Sequence, residues 1–170
     1  MVLGLLLGCL KPAPPVPGDG VTLNVATVMA PLTGAISAAP PKFEMGLVVP
    51  LSSRGAIPAF VTGPDELTLL ARYPDSAQRL DALAQTQVGA VLLVETAPSF
   101  YSELNGQYRW TVGVRLSLAE GDDDPLYATF DVPVFLRYHH EREAEAVVAA
   151  TPVVSRRAAQ LVDTWMAGRE

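Results

Sequence analysis

Alternation between apolar and polar positions is clearest in two stretches of the chain. From Tyr108 to Leu118 the even positions are Tyr108, Trp110, Val112, Val114, Leu116 and Leu118, separated by Arg109, Thr111, Gly113, Arg115 and Ser117. From Leu126 to Leu136 the even positions are again apolar: Leu126, Ala128, Phe130, Val132, Val134 and Leu136. A period of two sends alternate side chains to one face, so each stretch predicts a strand with one dry face. The run Ala90-Val91-Leu92-Leu93-Val94 has no polar alternate, which predicts a central strand covered on both faces. Asn105-Gly106 and Gly121-Asp122-Asp123-Asp124-Pro125 carry turn chemistry, so residues 90–136 read as a three-strand meander.

Upstream, Thr22 to Met29 is apolar and β-branched ahead of Pro31 and predicts the first strand. Phe43, Leu47 and Leu51 have helical spacing, but Gly46 and Pro50 oppose an uninterrupted helix, so a broken helix is predicted over Phe43 to Arg54. Ile57 to Val61 predicts a short strand that Pro58 restricts to an edge or a strand start. Asp65-Glu66 before Leu67, Leu69 and Leu70 predicts a helix closed by Pro74. Ser76 is the predicted N-cap of a second piece with Leu80, Leu83 and Ala84 on one face. After the meander a helix is predicted from Glu141 to Ala150, then a separate one with Thr151 as N-cap and Pro152 at its first position. That last helix offers Val154, Ala158, Leu161, Val162 and Trp165 to a core, and Gly168 ends it. The order β-α-β-α-β-β-β-α predicts an α/β sandwich, a mixed sheet of about five strands with helices over one or both faces.

The first twenty residues add a different kind of information. Cys9 is the only cysteine; it closes the apolar run Leu3-Gly4-Leu5-Leu6-Leu7-Gly8 and precedes Pro12, Pro14, Pro15 and Pro17. The chain thus divides into a signal segment (1–9), a proline-rich tether (10–20) and one α/β domain (21–170). An extended tether of that composition spans roughly 30 Å at ~3.1 Å per residue. Leu6-Leu7-Gly8-Cys9 resembles the lipobox of bacterial lipoproteins. The resemblance implies that Cys9 receives diacylglycerol, becomes the first residue of the mature chain and holds it to the membrane through acyl chains. In that group a non-acidic residue after the cysteine, here Leu10, implies the outer membrane, with the domain facing the periplasm. A full secretory signal carries a basic n-region and a longer apolar core, whereas only eight residues precede Cys9 and none is Lys or Arg, so a reading frame beginning further upstream is expected. The bland alternative is an apolar N-terminus with a buried or free thiol. Residues 1–10 are far shorter than the ~20 apolar residues a spanning helix needs.

Composition narrows the partners. At 170 residues and 49% hydrophobic the chain can bury a substantial core. A net charge of −6 argues against an electrostatic grip on nucleic acid, which needs clustered Lys and Arg. The element order joined to the lipobox resembles a group of periplasmic lipoprotein domains: the curli-export CsgG family, the lipoprotein activators of penicillin-binding proteins and the amino-terminal domain of TolB. The passage from Ser76 to Val94, the hairpin strand with Arg109-Trp110-Thr111-Val112, the strand after it and the closing helix carry the resemblance, over residues 23–167. It implies a non-enzymatic factor that binds an envelope protein, in export-machine assembly or peptidoglycan-synthase activation. A homo-oligomeric ring like the curli exporter ranks last, because no long amphipathic insertion is present.

Candidate chemistry is sparse. His139-His140-Glu141-Arg142-Glu143 has metal-ligand residue types, but adjacent histidines diverge on a strand or a helix, so a polar connection is the commoner reading. Asp122, Asp123 and Asp124 lack the spaced ligands of a calcium loop and read as a turn. No Walker pattern or Gly-x-Ser-x-Gly elbow is present. The expectation is no enzyme, no cofactor and no metal. Glu95 closes the expected central strand, either as a pocket acid or, more commonly, facing solvent. Tyr127 and Phe135 lie on the otherwise polar odd face of their strand, as an exposed partner-binding pair or buried under a helix. The competing functional reading is a small envelope hydrolase or ligand-binding module with a cleft near Glu95, His139 and His140.

Overall fold

The computed structural model describes residues 20–32, 34–121, 123–138 and 142–169. Cys9, the tether before Gly20, Asp122, His139, His140 and Glu141 lie outside the described residues. In chain order the elements are β1 (Val21–Met29), β2 (Ser37–Ala38), α1 (Pro41–Ser52), β3 (Ala56–Phe60), α2 (Pro64–Leu70), α3 (Ser76–Ala84), β4 (Ala90–Leu104), β5 (Gln107–Ala119), β6 (Leu126–Leu136) and α4 (Glu143–Ala167). They form the expected α/β architecture, a mixed sheet in the order β2-β1-β4-β5-β6, with β3 beside β1.

Strand β1 organises the parallel part of the sheet. It pairs with β4 from Leu23↔Ala90 to Met29↔Thr96 on one side. On the other it pairs with β3 from Val21↔Ala56 to Val25↔Phe60 and, antiparallel, with the two-residue β2 through Val28 and Met29. Pro58 therefore sits in an edge strand, where its missing N–H is tolerated. The step from β1 to β3 and the step from β3 back across β1 to β4 run in opposite directions. Right-handed crossovers in opposite directions place their helices on opposite faces. Accordingly α1 and the later α4 cover one face, packing Phe43, Leu47, Leu51, Val147, Val154 and Val162 on Leu92, Val94, Val112 and Leu116. The short helices α2 and α3 cover the other, packing Leu70, Leu80 and Leu83 on Ala26, Val28, Val91 and Leu93.

The meander follows the predicted alternation. Val112, Val114, Leu116 and Leu118 are buried, and so are Val132, Val134 and Leu136. Asn105 and Gly106 have φ of 52° and 72°, the paired positive values of a two-residue hairpin turn. Unlike the expected five-residue core of β4, the strand continues to Leu104, so Glu95 lies within it rather than at its end.

Three helix expectations need correction. Pro50 does not break α1, which runs unbroken from Pro41 to Ser52. Pro50 falls in the last turn, where its missing N–H forfeits one backbone bond, while Phe43, Leu47 and Leu51 stay buried. The two helices expected around Thr151-Pro152 are one helix of 25 residues, α4. Pro152 has no N–H for the Val148 carbonyl, and the Thr151 hydroxyl donates to that oxygen instead, at 2.6 Å. Finally, α3 is capped by Asp75, whose side chain accepts from the Ala77 N–H at 2.7 Å, which frees Ser76 for another role.

Where α1 crosses α4, Gly46 meets Thr151: a Cβ at Gly46 would lie 2.2 Å from Thr151 Cγ2. The glycine therefore sets the distance between the two helices. Gly46→Ala is expected to destabilise the protein by about 1–3 kcal/mol through overpacking, read as a lower urea midpoint. Thr151→Ser, which removes the methyl but keeps the hydroxyl, is expected to recover most of that loss.

Candidate functional site

Helices α2 and α3 are too short to cover their whole face of the sheet. Residues Ala90 to Thr96 of β4 are buried, whereas Ser99 onward is largely exposed. Beyond α3 the odd-numbered face of β5 and β6 is open, and a recess of ≈ 720 Å³ lies at the boundary. It sits beside the carboxyl end of β1, the end of a parallel strand at which α/β sheets hold ligands. The segment after β1, with Pro31, Leu32 and Ile36, forms one wall; Tyr73 and Pro74 between α2 and α3 form another.

At the inner edge of the recess stands a polar cluster. Arg79 of α3 donates through Nε to Glu95 Oε1 at 2.6 Å and through Nη1 to the Tyr73 carbonyl at 2.6 Å. Ser76 donates its hydroxyl to Glu95 Oε2. Arg115, directly across from Glu95 on β5, donates through Nη1 to Ser76 Oγ at 2.8 Å. Glu95 is only 5% exposed, so the solvent-facing reading is corrected: it is a buried carboxylate with both oxygens engaged. A charge leaving water at this depth must be paired and hydrogen-bonded, and Arg79 with Ser76 meets that requirement. The sequence did not single out Arg79 or Ser76 as partners of Glu95: their i, i+3 spacing on α3 is visible there, but which strand residue that side of the helix meets depends on how α3 lies on β4.

The floor of the recess is unusually bare. Ala97 of β4 faces Gly113 of β5, and Gly113 faces Asp131 of β6. A Cβ at Gly113 would meet its nearest neighbours, Asp131 Oδ1 and Ala97 O, at 3.5 and 3.7 Å, ordinary contact distances. Neither packing nor φ demands glycine there, although glycine in a strand interior costs roughly 0.5–1 kcal/mol relative to alanine. Its effect is to leave a gap in the side-chain layer.

A second feature lies at the other end of the sheet. Phe100, Tyr101, Leu104, Phe135 and Tyr138 are exposed large side chains around the β4–β5 turn and the end of β6. Phe100 packs edge-on to Trp110 with ring centroids 5.6 Å apart, and the Arg109 guanidinium lies 6.0 Å from the Phe135 ring. Tyr127 and Phe135 are both exposed, at 50% and 58%, and among the described residues no helix covers them. They do not adjoin, however: eight positions along one strand put them roughly 27 Å apart. Phe135 belongs with the aromatic end, whereas Tyr127 pairs across to Ser117 near the start of β6.

No family model matches the chain, and no curated protein matches it. Among solved structures it is similar to a minor lipoprotein from Acinetobacter baumannii, at 13% identity over 82% of this chain and 90% of that chain, with a TM-score of 0.43. It is also similar to the PelC dodecamer from Paraburkholderia phytofirmans, at 11% identity over 89% and 91%, TM-score 0.42. A third similarity is to rare lipoprotein B from Shewanella oneidensis, at 9% identity over 87% and 95%, TM-score 0.33.

The buried pair makes a two-part prediction. Glu95→Ala strands Arg79 without its counter-charge and is expected to cost about 3–5 kcal/mol. Replacing both, Arg79→Met with Glu95→Leu, is expected to cost far less, because no lone charge remains inside. Urea unfolding of the two variants against the parent checks the contrast.

Proposed function

We propose that the chain is a lipid-anchored protein of the bacterial envelope whose α/β domain binds another envelope protein and performs no catalysis. The lipobox-like Leu6-Leu7-Gly8-Cys9 and the proline-rich tether support the anchor, with acyl chains on Cys9 holding the chain to the outer membrane from the periplasmic side. The observation that carries the binding role is the placement of the exposed aromatic group. The tether enters at Val21, which lies at the Ala90 end of the parallel β1–β4 pair. The β4–β5 turn is at the opposite end, roughly 50 Å away along a strand of 15 residues. A chain held through its N-terminus therefore presents Phe100, Tyr101, Leu104 and Phe135 away from the membrane. Exposed aromatic groups of this kind are the anchors of protein interfaces. By resemblance to the CsgG, penicillin-binding-protein activator and TolB group, the partner is a component of an export machine or a peptidoglycan synthase.

The hydrolase reading draws on Glu95, which does line the recess. Both of its carboxylate oxygens hold Ser76 and Arg79, which favours a structural carboxylate over a general acid or base.

Tyr101→Ser combined with Phe135→Ser is expected to abolish partner capture by crosslinking in intact cells. Because both residues are exposed, the melting temperature should stay close to that of the parent. Capture that survives the double substitution would remove the aromatic end from the interface. Cys9→Ser, expressed from the native gene, is expected to lose incorporation of radioactive palmitate and to leave the membrane fraction.

A further inference from the structure

We propose that the recess on the open sheet face binds a compact zwitterion with an apolar body, namely a short apolar peptide with free amino and carboxyl ends. The binding is a property of the recess itself and does not depend on Cys9 or on the aromatic end.

The charges at the recess carry the argument. Arg79 and Glu95 neutralise each other, with a separation of 2.6 Å and side-chain exposures of 10% and 5%. That leaves Arg115 and Asp131, both exposed and both lining the recess. Arg115 is held in place by one bond, from Nη1 to Ser76 Oγ, so its other N–H donors have no protein partner among the described residues. Asp131 has no hydrogen-bond or ion-pair partner among the described residues. The two flank Gly113: Asp131 is directly opposite it and Arg115 two positions further along β5, a diagonal relation of roughly 7–8 Å between neighbouring strands. A cation held by Ser76 and an unpaired carboxylate rising from diagonal positions of neighbouring strands, in a lining with no net charge, suit a ligand with one carboxylate and one ammonium. A net anion would face Asp131, and a net cation would face Arg115.

The walls and floor define the rest of the ligand. Pro31, Leu32, Ile36 and Pro74 supply apolar surface, and Leu32 is 96% exposed. Glycine inside a strand, with no bulge and no steric demand, marks a place where a ligand or another backbone approaches closely. The register shift in this hairpin falls at Phe100/Ser102, well away from Gly113. The recess volume of ≈ 720 Å³ lies in the range of sites for small ligands.

The test is calorimetric titration of the full chain with leucyl-leucine, N-acetyl-leucyl-leucine and leucyl-leucinamide. The free dipeptide is expected to bind, and each blocked form about tenfold or more weakly, since each loses one charge-assisted bond. Asp131→Asn is expected to weaken the free dipeptide while leaving the N-acetyl form unchanged. Gly113→Val is expected to abolish binding without lowering the melting temperature, because valine suits a strand interior better than glycine; that combination separates a binding role from a structural one. Absence of dipeptide binding, equal binding of the free and blocked forms, or unchanged binding by Gly113→Val would each overturn the proposal. So would binding confined to a short-chain phosphatidylethanolamine, which carries the same two charges on a lipid.

Discussion

Double-sided burial of β4 is the constraint on which the rest of the structure depends, and it ends partway along the strand. From Ala90 to Thr96 every residue is buried, which requires apolar cover on both faces over that length and no further. One face receives α1 and the 25-residue α4; the other receives α2 and α3, of seven and nine residues. At the margin of this shorter cover stands Glu95, a carboxylate in a position that would otherwise be apolar. Its burial is tolerable only because α3 brings Arg79 and Ser76 onto it. Past that point the sheet continues with one face uncovered; the recess and Phe135 lie on that face, whereas Phe100 shares the opposite face with Trp110.

Much of the fold was legible because the meander is written in period two. The even positions of β5 and β6 meet one core, and the turn Asn105-Gly106 joins β4 to β5 where its chemistry indicated. What misled was local chemistry that tertiary packing overrode. Pro152 reads as a helix start, yet the Thr151 hydroxyl takes over the orphaned Val148 carbonyl, and buried Val147, Ala150 and Val154 hold the two halves in line. Gly46 reads as a helix weakness, whereas the structure uses it as the contact point with Thr151. β2, with two residues, carries too little pattern to be read at all.

The candidate sites were legible only in part, for a related reason. Glu95 was visible as a carboxylate beside an apolar run, but its partners come from an element 16 to 19 residues earlier, and pairing across that distance depends on how α3 lies on the sheet. Gly113 was indistinguishable from any other polar-face position until the open space above it was known. Tyr127 and Phe135 share the odd face of β6, and whether that face is exposed or covered was not readable from the pattern; both are exposed, but strand length separates them, and only Phe135 joins the aromatic end. Patterning reports which face a residue occupies; distance along the strand and the reach of the covering helices decide which residues act together.

In the proposed function the domain is held from one end so that the other end meets its partner. The most direct measurement is the intact mass of the protein extracted from cell membranes after expression from its native gene. A chain that begins at Cys9 and carries the added mass of acyl groups is the predicted result. An unmodified chain that retains residues 1–8 and appears in the soluble fraction would contradict it, since nothing would then orient the domain.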